Sequence, residues 1–126
     1  MTEPGFGRDL LERLRNEIEV DIETRGSAES PPHRTIIWVV VDAQDRILIR
    51  SYRGATARWY REATSGMPVA LVVGGDVVPV TVEHARDRER ISACSVELER
   101  KYAGDPATPA MLRSEVLDTT LELRPG

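Results

Sequence analysis

The chain has 126 residues, 40% of them hydrophobic and 30% charged, with a net charge of −4, so it is long enough for one buried core and reads as a single globular domain over 1–126. The acidic balance argues against a general nucleic-acid binder, although a local basic patch stays open. One cysteine, Cys94, leaves no internal disulfide and fits a reducing cytoplasm; no apolar run approaches the ~20 residues that span a bilayer, and the first residues lack the basic and apolar regions of a signal peptide.

The predicted elements follow in chain order. In DLLERLRNEI, Leu10, Leu11, Leu14 and Ile18 share one stripe, which predicts an amphipathic helix closing the segment 1–18. The remainder, 19–126, is expected to form a barrel with further helices. In EVDIETR, from Glu19 to Arg25, apolar and charged residues alternate as in a half-exposed strand. Gly26 to His33 is a loop by composition, with Pro31 and Pro32 unable to donate to a ladder. RTIIWVVVDA, Arg34 to Ala43, is apolar on both parities, as in a strand covered on both faces. It is expected to form a hairpin with RILIRSY, Arg46 to Tyr52, across a tight turn. A turn and short helix follow, ending at Gly66.

Strands Pro68 to Val73 and Val77 to His84 form a second hairpin across Gly74, Gly75 and Asp76, with Pro79 indicating an edge or a bulge. Ile91, Cys94, Val96, Leu98 and Tyr102 mark a helix that Gly104 stops. DPATPAMLRS is a connector, and SEVLDTTLELRPG closes the chain as a last strand. About six strands joined mostly by short turns, with two or three helices, predict a mainly β (α+β) fold: a small antiparallel barrel or sandwich with helices at its ends.

Chemistry-bearing residues are few. His33, His84 and Cys94 show no metal-ligand spacing, so no metal is expected. No nucleophile elbow, phosphate loop or dinucleotide fingerprint is present. What stands out is RSYRGATARWYREA, Arg50 to Ala63, with four arginines at the end of a strand. An anion there would meet guanidinium forks, the Ser51 hydroxyl and free backbone amides at a helix start, with Gly54 allowing close approach. The expected hairpin would also bring Arg34 and Thr35 opposite Tyr52 and Arg53. A solvated rim of ion-paired arginines, with Trp59 and Tyr60 as core anchors, is the other reading of the same residues.

The order TIIWVVVD, ILIRSYRG, RWYREA, KYAG and TTLELRP resembles an uncharacterised bacterial family grouped with the FMN-binding split β-barrels. Pyridoxamine-phosphate oxidases and deazaflavin-dependent nitroreductases are in the same superfamily. The resemblance spans roughly Arg34 to Pro125. It implies a split barrel, a homodimer with the cofactor at the subunit interface, and an FMN or deazaflavin coenzyme. Ser51, Arg53, Gly54, Arg58 and Trp59 match the phosphate-binding turn of such proteins, and Arg34 and Thr35 match the strand start that faces it. The substrate residues of the oxidases and the long tail of the nitroreductases have no counterparts. The implied activity is therefore a flavin- or deazaflavin-dependent oxidoreductase of unnamed substrate, with a non-catalytic ligand-binding or dimerisation module as the alternative.

Overall fold

The computed structural model describes residues 6–126; residues 1–5, the start of the expected segment 1–18, lie outside the described part. Helix α1 covers Arg8–Asn16 and buries Leu11 and Leu14. It stops before Ile18, which is exposed on the extended segment that follows. Seven strands form one antiparallel sheet: β1 Val20–Thr24, β2 His33–Ile37, β3 Val40–Val41, β4 Ile47–Ile49, β5 Val69–Val73, β6 Asp76–His84 and β7 Leu121–Pro125. Their order is β2-β1-β5-β6-β7-β4-β3. Helices α2 (Arg58–Ala63), α3 (Arg88–Lys101) and α4 (Thr108–Met111) complete the elements.

The seventh strand arises because the expected strand Arg34 to Ala43 is two strands. His33–Ile37 pairs with β1, in the register Val20↔Ile37 to Thr24↔His33. Val40–Val41 pairs with β4 instead. These two pieces stand at opposite ends of the strand order, so the short Trp38–Val39 link carries the chain from one sheet edge to the other and curls the sheet into a half-barrel. The apolar character on both parities has a physical cause here. Ile37, Val39 and Val41 enter the core inside the curl. Val40 and the half-buried Trp38 join a second cluster with Leu48, Cys94, Leu98, Tyr102 and Met111, under α3 and α4.

The remaining strands follow their local chemistry. Gly74 and Gly75, at φ 56° and 89°, make the tight β5–β6 turn in a region that other residues avoid. Strand β6 is interior to the sheet; Pro79 lies beyond the last β7 pair, Val80↔Pro125, where the pairing ends with the Gly126 amide donating to the Pro79 carbonyl, so the missing proline N–H costs no ladder bond. The predicted last strand is shorter than expected. Ser114–Thr119 is a 3₁₀ turn, because Thr119 and Thr120 donate their hydroxyls to the carbonyls of Val116 and Leu117, which favours a turn over a ladder. In α3 the Asp87 carboxylate accepts from the Arg90 amide as an N-cap.

Candidate functional site

Strand β4 ends at Ile49, earlier than the expected Tyr52. The Ser51 amide donates to the Thr119 hydroxyl, and the Ser51 hydroxyl donates to the Gly54 carbonyl at 2.7 Å. The Gly54 amide returns to the Ser51 carbonyl. Gly54 takes φ 75°, a left-handed conformation that glycine adopts without a Cβ penalty. A 3₁₀ turn over Gly54–Thr56 then delivers the chain to α2.

Two hollows open beside this turn. The outer one, about 500 Å³, is lined by Thr35, Tyr52, Arg53, Thr56, Arg58 and Arg61 together with Ile36, Ala57 and Trp59. The inner one, about 370 Å³, is lined by Ile36, Tyr52 and Trp59 again and by Ile37, Trp38, Arg50 and Met111, with Glu19, Asp105 and Ala107. The shared residues join them into one groove. Trp38 on its wall is backed by the buried Tyr102, at 3.9 Å between ring centroids and 3° between planes. The Tyr102 hydroxyl donates to the Ile18 carbonyl and accepts from the Val39 amide, and burial raises its pKa to about 12. Tyr52, half exposed at the lip, is held by Arg113, which lies over its ring and donates to its carbonyl.

Charge is distributed unevenly. Arg13, Arg15, Arg34, Arg46, Arg90, Arg100 and Arg124 each pair with a carboxylate. Among the described residues, Arg53, Arg58 and Arg61 form no such pair, and neither do Arg8, Arg25, Arg50, Arg86, Arg88 and Arg113; what sets the first three apart is that they line one hollow. Glu62, next in sequence, is already engaged by Thr24 and His33. Its pKa is lowered, the hydrogen bonds from those partners and the field of Arg58 outweighing burial, the largest single influence, which raises it.

The expected site residues do not all meet. Thr35, Arg53, Arg58 and Trp59 line the groove. Arg34 does not: the expected hairpin partner is wrong, because β2 pairs with β1, and Arg34 stands opposite Glu23, to which its Nε donates at 3.1 Å. Ser51 is fully buried and its hydroxyl is committed to Gly54. Gly54 is buried as well, and shapes the turn from beneath. Helix α2 has only six residues, so the arginine side chains, more than a helix dipole, supply the positive field.

Several groove residues were not among the expected site residues: Ile36, Trp38, Arg50, Tyr52 and Arg61. Arg50 had a usable signal. Two-residue periodicity puts it on the same face as Leu48, which enters the apolar cluster under α3, so a charge was due in an apolar place. It is 2% exposed. Its guanidinium donates to the Thr120 and Ser95 hydroxyls and to the Met111 and Ile91 carbonyls, all neutral acceptors.

The curled antiparallel sheet, with α1 and α2 packed into the core inside the curl and α3 and α4 over the second cluster, defines a split-barrel-like α+β fold. Solved structures share it. A conserved hypothetical protein of Mycobacterium tuberculosis, Rv2991, aligns with a TM-score of 0.62 at 15% identity, over 98% of this chain and 79% of its own. HutZ, the heme storage protein of Vibrio cholerae, aligns at 0.63 and 12%, over 94% and 88%. Atu2129 of Agrobacterium tumefaciens, a protein of unknown function, aligns at 0.61 and 8%, over 98% and 56%. At these identities the likeness is one of fold. No curated protein matches the chain. Residues 10–123 match the family described as "Uncharacterized protein conserved in bacteria (DUF2255)", and the chain belongs to that family.

Proposed function

We propose that the groove binds a flavin-type cofactor, FMN or a deazaflavin coenzyme, and that the protein is an oxidoreductase built on it. The observation that carries this reading is the convergence of Arg53, Arg58 and Arg61 on one hollow that is continuous with a cavity walled by Trp38 and Trp59. The donor set fits such a group. Guanidinium groups with the Thr35 and Thr56 hydroxyls suit a phosphate, and Trp59, Ile36, Tyr52 and Trp38 offer flat apolar surface to a ring system. When bound, such a cofactor supplies hydride or electron transfer. The chain's own residues would hold the phosphate, orient the ring and exclude water from its buried edge.

A haem, suggested by the name of the Vibrio protein, is less well served. No histidine lines either hollow, His33 is bonded to Glu62, and His84 lies in a separate hollow beside Met67. The homodimer implied by the family resemblance belongs to the same proposal, and light scattering of the cofactor-loaded protein tests it.

The deciding experiment is titration with FMN, a deazaflavin coenzyme, riboflavin and haemin, followed by absorbance and flavin fluorescence. FMN or the deazaflavin should bind, riboflavin should bind more weakly for want of a phosphate, and Arg53→Ala with Arg58→Ala should bring FMN down to the riboflavin level. Equal affinities for FMN and riboflavin, or no binding of any flavin, would remove the reading. Flavin binding without turnover with any reductant would leave the non-catalytic binding module.

A further inference from the structure

We propose that the inner cavity is an anion site in its own right, with the buried Arg50 as its counter-charge, taking a small planar ligand that carries a single carboxylate or similar oxyanion. This goes beyond the cofactor reading and does not depend on it.

The central observation is a charge without a partner. Arginine stays protonated in proteins, and a buried charge is ordinarily paired or metal-bound because its desolvation is costly. Arg50 is 2% exposed, yet every acceptor it reaches is a hydroxyl or a backbone carbonyl. The nearby Cys94 supplies no counter-charge, since burial raises its thiol pKa to about 11. A guanidinium has five N–H groups, and these bonds use four: one on Nε, two on Nη1 and one on Nη2. The fifth has no protein partner among the described residues, and Arg50 lines the inner cavity.

The rest of the cavity defines the ligand. Trp38, set against Tyr102, forms a flat wall, with Trp59 and Met111 as further apolar surface. Two carboxylates, Glu19 and Asp105, also line the cavity, but both residues are exposed. Water screens them, whereas the field of Arg50 acts in a low-dielectric interior. Their presence disfavours a second negative charge, so a monoanion suits this cavity and a phosphate dianion suits the outer arginines. The four bonds from Arg50 also tie the residue after β4 to α3, α4 and the segment before β7; a role confined to that would leave the cavity indifferent to ligand charge.

Matched ligands separate the two roles. The full chain is titrated with benzoate and 2-naphthoate, and with benzamide and 2-naphthamide as neutral counterparts. The readouts are tryptophan emission, from a chain with two tryptophans that both line the cavity, and the NMR resonance of the Arg50 Nε–H. Carboxylates should saturate the emission change and move the Arg50 resonance, with amides at least tenfold weaker. Arg50→Gln should abolish the difference, and Arg50→Lys should keep part of it. Equal binding of acid and amide, or saturating carboxylate with an unmoved Arg50 resonance, overturns the proposal, as does no binding by any of the four. If both variants fail to fold, the acid–amide comparison on the unaltered chain decides. FMN binding without a carboxylate response would overturn this proposal alone, and carboxylate binding without FMN would overturn only the cofactor reading.

Discussion

Replacing Tyr102 with Phe removes one oxygen from behind the Trp38 wall of the groove and leaves the ring that stacks on Trp38. That oxygen donates to the Ile18 carbonyl at 2.5 Å and accepts from the Val39 amide at 3.3 Å. Ile18 is largely exposed, so water can take over its carbonyl, but Val39 is fully buried and its N–H would be left without an acceptor. A lost hydrogen bond plus an orphaned buried donor costs about 1–3 kcal/mol, which corresponds to several degrees in Tm for a domain of this size. Urea unfolding at pH 7 measures it, with an unchanged slope showing that the unfolded state is unaltered. The near-UV signal of the stacked rings should survive. Tyr102 also has an alkaline signature. Its pKa is raised to about 12 in the folded chain by burial, against about 10 unfolded. Stability from this group is therefore complete below pH 10 and is lost as pH rises toward 12. The Phe variant lacks that loss, so the gap between the two proteins should narrow between pH 9 and pH 11. A difference under about 0.3 kcal/mol at pH 7 would refute the assigned role of the hydroxyl, and a gap that widened at high pH would refute the burial of the ring.

Other outcomes follow from single features of the fold. Arg34→Ala should leave FMN and carboxylate affinity unchanged, since Arg34 pairs with Glu23 outside the groove; a tenfold loss in either titration would place it in the site after all. Gly54→Ala should destabilise by about 1–2 kcal/mol in urea unfolding, because φ is 75° while the nearest atom to an added Cβ, on Val116, is at an ordinary 4.0 Å. Leu71→Ala should cost roughly 2–5 kcal/mol by the same assay, as Leu71 is wholly buried inside the curl. Burial lowers the pKa of Lys101 to about 8, so the folded chain disfavours its charged form. Stability from this group is present above the unfolded value near 10.4 and is lost as pH falls through 8, so the unaltered chain should gain on Lys101→Met between pH 7 and pH 10.

Much of this protein is written locally. The amphipathic spacing of Leu10, Leu11 and Leu14, the Gly74–Gly75 turn, and the helix from Arg88 to Lys101 depend on neighbours a few residues away, and each forms close to where its pattern predicts. The crowding of arginines between Arg50 and Arg61 is likewise visible in the sequence alone. Where the chain turns from one partner to another is not. Nothing in RTIIWVVVDA distinguishes a single two-sided strand from two short strands at opposite sheet edges, because both bury apolar residues on alternate faces. Only closure of the curl settles it, and that choice moves Arg34 away from the groove and Trp38 into it. The same holds for Ser51 and Arg50. Composition marks a hydroxyl and a guanidinium at a strand end, but Thr119, Thr120 and α3 arrive from about 40 to 70 residues later in the chain, and they decide that Ser51 is spent on the turn and Arg50 is buried without a counter-charge.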